Sequence, residues 1–161
     1  MNQLFLDCEW ADVLSSELIS IALVPLDGDH VFYAEREVLP EPTPWVAAVV
    51  YPRLSRGSTV MDDAAMTRAL RTYLAHFDGV SICYDHGADR AFCQAVLDGP
   101  AGVDPDTLSP RPRGVRWDMV RDMGSSLERW WRDRPESAHH RHHALMDAQA
   151  LRGAWLSLWG F

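Results

Sequence analysis

A chain of 161 residues, 47% hydrophobic and 24% charged, is long enough to bury a real core and too apolar to stay disordered. No stretch approaches the roughly eighteen apolar residues of a membrane span, the start Met1-Asn2-Gln3 has no basic flank of the signal-peptide kind, and three cysteines without a Cys-x-x-Cys fit a reduced, cytoplasmic setting. The net charge of −8 disfavours non-specific grip on a polyanion, yet it is unevenly spread: every cation is arginine, eight of them lie between Arg111 and Arg141, and residues 1–63 hold eleven acids against three arginines.

Leu4-Phe5-Leu6-Asp7-Cys8-Glu9-Trp10 reads as a strand, with Leu4, Leu6 and Cys8 on one face and Phe5, Asp7 and Glu9 on the other. Two carboxylates side by side repel unless one is protonated or a cation sits between them; the plain alternative is a pair of ordinary surface acids at a strand end. A short acidic turn with Asp12 leads to residues 17–24, nearly continuously apolar and expected as a buried strand. Asp27-Gly28 marks a turn, and residues 30–35 form a third strand, giving an antiparallel meander. Residues 39–60 are an irregular connection with a helical turn near Trp45 to Val50. A helix is predicted from Met61 to Phe77, with Asp62 and Asp63 in its first turn and Met66, Ala69, Leu70, Tyr73 and Phe77 in one stripe. Val80–Tyr84 is a short strand ending at Asp85-His86-Gly87, followed by a helix from about Ala88 to Leu97 and a long loop. Val115–Trp117 forms another short strand, Asp118–Arg134 a helix interrupted near Gly124, and Ala144 to Trp159 the last helix. Three consecutive strands and then helix–strand–helix alternation imply one α/β domain over residues 1–161, with a mixed sheet.

Two later acids sit where surface residues do not belong. Asp89 heads the stripe Phe92, Cys93 and Val96, although an Asp there can also be a helix cap. Asp147 falls within the apolar face formed by Ala144, Ala148, Leu151, Trp155 and Leu158. A carboxylate there is costly unless it binds a metal or pairs with an arginine. His142 stands five residues before Asp147, so the two converge only if His142 precedes the regular helix; from there it could act as a general base. His139, His140, His142 and His143 invite a zinc reading, but there is no nearby cysteine or second cluster to support it.

In this order these residues resemble the DEDDh branch of the DnaQ-like 3′–5′ exonucleases, a group with an RNase H-like fold. The first motif is Leu6-Asp7-Cys8-Glu9. The second lies within Tyr84-Asp85-His86-Gly87-Ala88-Asp89-Arg90-Ala91-Phe92. The third is His142-His143-Ala144-Leu145-Met146-Asp147-Ala148. The likeness spans nearly the whole chain and looks nearest to small bacterial exoribonucleases of the group. For the second motif both Asp85 and Asp89 are candidates, the Asp-Arg-x-Phe context favouring Asp89. After Glu9 the family's Thr-rich run is replaced by Trp10-Ala11-Asp12.

The resemblance implies a mixed central sheet, three antiparallel strands followed by parallel ones, flanked by helices. It implies a nuclease that hydrolyses single-stranded nucleic acid, RNA favoured over DNA, from the 3′ end to 5′-mononucleotides. Asp7, Glu9, Asp89 and Asp147 would hold two Mg²⁺ or Mn²⁺ ions, and His142 would take the proton from the attacking water. At Trp10, where the chain departs from the family, the side chain either stacks on the terminal base or packs as a strand-end core residue, and Asp85 is a second candidate substrate contact. Arginines of the 111–141 region would meet upstream phosphates. The expected partners are short RNA or 3′ ends, with no membrane. A homodimer is also expected, because related exonucleases are often dimers and four tryptophans (Trp130, Trp131, Trp155, Trp159) cluster late in the chain. The competing expectation is a catalytically inactive nucleic-acid- or nucleotide-binding module of the same fold.

Overall fold

Strand β1 (Asn2–Trp10) lies inside a six-stranded sheet in the computed structural model, which describes residues 2–160. On one side it pairs antiparallel with β2 (Leu18–Pro25), and β2 in turn with β3 (Phe32–Arg36), the meander expected from the turns. On the other side it pairs parallel with β5 (Val80–Tyr84), which pairs parallel with β6 (Val115–Met119). A two-residue β4 (Val60–Met61) closes the far edge beside β3, so the sheet order is β4-β3-β2-β1-β5-β6.

The alternation along β1 divides the core. Leu4, Leu6 and Cys8 join the cluster under α2 (Asp63–Leu74) and α3 (Gly87–Asp98). Phe5 faces the other way, with Leu151 and Ala154 of α5 (Ala144–Trp159) and Met123 before α4 (Gly124–Arg132). Ala144 and Ala148 of α5 meet Ala22 and Val24 of β2, and these small side chains bring the helix close to the strands. Asp7 and Glu9 share the Phe5 face, so they point towards the start of α5. A short α1 (Pro44–Val49), capped by Thr43 with Pro44 in its first turn, forms a satellite cluster with Ala11 and Ile19.

Two predicted boundaries are corrected. Residues 118–123 are not helical: β6 runs on to Met119 because its parallel ladder continues to Tyr84, and α4 begins only at Gly124. Met61 belongs to β4, paired with Arg36, and Asp62 is the cap of α2, its carboxylate accepting the Ala65 amide at 2.6 Å. Leu158, read as part of the buried face of α5, is 52% exposed. Among the described residues no helix is long and apolar enough to cross a membrane.

Candidate metal centre

β1 delivers two of the acids directly. A register shift between Glu9 and Trp10 ends the regular pairing there. Glu9 is buried, and one Asp7 oxygen, Oδ2, is buried with no hydrogen-bond partner. Asp89 comes from the first turn of α3. It is not the cap of that helix: His86 is, its ring nitrogen accepting the Ala88 amide. The Asp89 carboxylate, 1% exposed, instead accepts the backbone amide of Cys8 at 3.1 Å, tying α3 to β1 between the two strand acids.

Asp147 lies in the first turn of α5, where the helix dipole favours an anion. No arginine forms an ion pair with it among the described residues; its Oδ2 accepts the backbone amide of His142 at 2.9 Å. His142 is outside the helix, with a positive φ of 65° that costs a side-chain-bearing residue roughly 1–2 kcal/mol and must be held by its flanks. That conformation turns it back over Asp147. Ligand atoms of Glu9, His142 and Asp147 come within 4.8 Å of one another.

All seven residues singled out in the sequence (Asp7, Glu9, Trp10, Asp85, Asp89, His142 and Asp147) border one open cavity of about 470 Å³. Asp85, at the end of β5, is exposed, and the Trp10 indole stacks on His86 and Phe92 at 5.3 and 5.9 Å. A second cavity of about 240 Å³ shares Asp7, Asp85, His142 and Asp147 and is lined on its other side by Trp131, Glu128 and Arg141. The centre therefore lies between two openings. Of the eight arginines in the 111–141 region, Arg141 borders this second cavity, with Glu128 as its ion-pair partner. The four histidines do not gather: His139 and His140 pack against each other as a tilted pair, and His143 turns away to Tyr33.

The electrostatics are those of acids awaiting a counter-charge. Burial, then the neighbouring Asp147, pushes Glu9 up to about 9, the two carboxyls being close enough to share a proton. Burial and Asp85 push Asp89 up to about 8, while Asp147 is pushed up to about 6 by burial. Asp7 is raised well above the carboxylate range by burial, then by Asp147 and Asp89. His142 is lowered by burial and by Arg141 and Arg53, so its ring is neutral at physiological pH. An unpartnered buried carboxylate oxygen among mutually repelling acids fits a hard divalent cation, which takes oxygen ligands.

Two members of the site carried no signal in the sequence. Trp45, in α1, sets its edge on the His142 ring at 4.9 Å and is half exposed at the cavity. Arg53 holds the carbonyl of His139 at 2.9 Å and lowers both Glu9 and His142. Neither stands near a motif, and each reaches the site only through the path of the irregular 39–60 connection. Comparisons with protein-family models and with curated proteins give no match for this chain.

Proposed function

We propose that this protein is a metal-dependent 3′–5′ exonuclease of the DEDDh type, with an RNase H-like fold, acting on single-stranded nucleic acid and on RNA in preference to DNA. The observation that carries the reading is the convergence of Asp7, Glu9, Asp89 and Asp147 with His142 from three separate parts of the chain on one open cavity. A set of acids this buried and this poorly compensated is expensive for a purely structural role.

Asp7, Glu9, Asp89 and Asp147 would hold two Mg²⁺ or Mn²⁺ ions; when bound, such ions lower the pKa of water and offset charge on a phosphoryl group. Asp89 is the better second-motif acid, because its hydrogen bond to Cys8 fixes it against β1 whereas Asp85 stands free at the mouth. The neutral His142 imidazole accepts the proton of the attacking water at a ring nitrogen. Trp45, half exposed, gives the cavity aromatic surface for an unstacked base, and Trp10, stacked on His86 and Phe92, forms part of the wall. The net charge of −8 suits short or single-stranded ends better than long duplex.

The test is purified protein with Mg²⁺ or Mn²⁺ on 3′- and 5′-labelled RNA and DNA oligomers. Metal-dependent shortening from the 3′ end to mononucleotides, lost in Asp7→Ala and Asp147→Asn, is the expected result. Binding without cleavage would favour the inactive module, and full activity in either variant would refute the site.

A further inference from the structure

Glu35 is a fully buried carboxylate in β3 that the chemistry above does not use. It lies on the same sheet face as the centre: Ser20 of β2 pairs with Glu9 on one side and with Glu35 on the other. A charge this deep is retained only where its lone pairs are met, and here they are. Oε1 accepts the Tyr33 hydroxyl and the Ser55 amide, both at 2.6 Å, and Oε2 accepts the Arg56 amide at 3.0 Å. Glu35 thereby sets the turn at residues 55–56, where Arg56 has a positive φ.

That turn aims one side chain onward. Ser55 Oγ shares a hydrogen bond of 3.1 Å with Nε2 of His143, whose ring is buried and stacked on Tyr33 at 4.6 Å. The carbonyl of His143 then accepts the Met146 and Asp147 amides at 2.8 and 3.0 Å, starting α5. His142, the adjacent residue, is left in its left-handed conformation with its amide on Asp147. Every link between Glu35 and the two site residues is a direct hydrogen bond or a peptide bond.

We propose that Glu35, Tyr33, Ser55 and His143 form a positioning relay that fixes His142 and Asp147 over the acids of β1. The proposal rests on the nuclease reading for its kinetic consequence, but not for its effect on metal affinity. The relay touches neither cavity; it acts by locking the one segment that carries both a candidate ligand and the candidate base. Supporting shells of this kind change metal affinity or turnover while leaving substrate contacts in place.

The test compares Ser55→Ala, Ser55→Thr and His143→Phe with the parent protein. Ser55→Ala keeps the backbone amide that bonds Glu35 and removes only the hydroxyl, and Phe keeps the stack on Tyr33 while removing the hydrogen bond. Three quantities are read: Mn²⁺ affinity by titration of the free-ion EPR signal, kcat and KM on a labelled RNA oligomer, and Tm. Ser55→Ala and His143→Phe should each weaken Mn²⁺ binding and lower kcat by about tenfold, with KM within about twofold, and Ser55→Thr should restore both. Parent-like Mn²⁺ affinity and kcat in both variants would overturn the relay with the nuclease reading intact. So would losses that follow Tm and are not rescued by Thr. A parent protein that binds Mn²⁺ but cleaves nothing overturns the nuclease reading alone, and the relay is then decided by the affinities. If the parent protein does not bind Mn²⁺, both fall.

Discussion

Single residues define this site by how badly they would fare alone. His142 is the residue whose role is most open to separation by experiment, because it lies within ligand distance of Glu9 and Asp147 and is also neutral enough to accept a proton. As a general base its replacement in His142→Ala should lower kcat by roughly 10²- to 10⁴-fold with little change in Mn²⁺ affinity. A loss of affinity that accounts for the whole loss of rate would make it a ligand instead. The aromatic contacts around it have a different weight. Trp10 is committed on His86 and Phe92, so its freedom to meet a base is limited, whereas Trp45 is half exposed at the cavity. Trp45→Ala should therefore raise KM for RNA oligomers more than it lowers kcat; the reverse would place Trp45 in support of His142 rather than of substrate.

Among the elements, α5 does most to assemble the centre, and it does so through small residues. Ala144, Ala148, Ala150 and Ala154 are all buried, and at Gly153 an added Cβ would collide with the Trp130 indole of α4. Helix propensity favours Gly153→Ala by about 1 kcal/mol, but displacing an indole from a packed helix pair costs about 1–3 kcal/mol. The variant should be less stable in urea, against the usual direction for such a change. Much of this was legible beforehand. The alternation of β1 put Asp7 and Glu9 on one face, and Asp89 and Asp147 stood out because a carboxylate does not belong in an apolar stripe. Five residues do not return to the same helical face, so the sequence lets His142 meet Asp147 only from before the helix. What the sequence could not disclose was set by distant partners. Met119 is in a strand because of Tyr84, Met61 because of Arg36, and Glu35 is satisfied by amides twenty residues along an irregular loop.

At the level of the whole molecule, the uncompensated acids govern how stability responds to pH. Glu9, Asp89 and Asp147, pushed up to about 9, 8 and 6, hold protons in the folded state that the unfolded chain has released above about pH 4. More protons bound when folded means that stability falls as pH rises through that window. Asp12 and Glu128, lowered by their hydrogen bonds, act in the opposite sense only below about pH 4, and His142 and His143, lowered by burial, do so only below about pH 6.5. Free of metal, Tm should therefore decline from about pH 6.5 to pH 8, and saturating Mn²⁺ should flatten the decline; scans in chelator and in Mn²⁺ check this. The order of the candidate ligands along the chain has a consequence of its own. β1 precedes α5 in the chain, so Asp7 and Glu9 are made before His142 and Asp147, and a growing chain holds half of the candidate site until α5 has emerged and docked on β1 and β2. A cation gripped by both halves would tie β1 to the start of α5 and close the residues between them into one long loop, as a long-range crosslink does. On the proposed reading, the centre is complete only once α5 seats against the sheet.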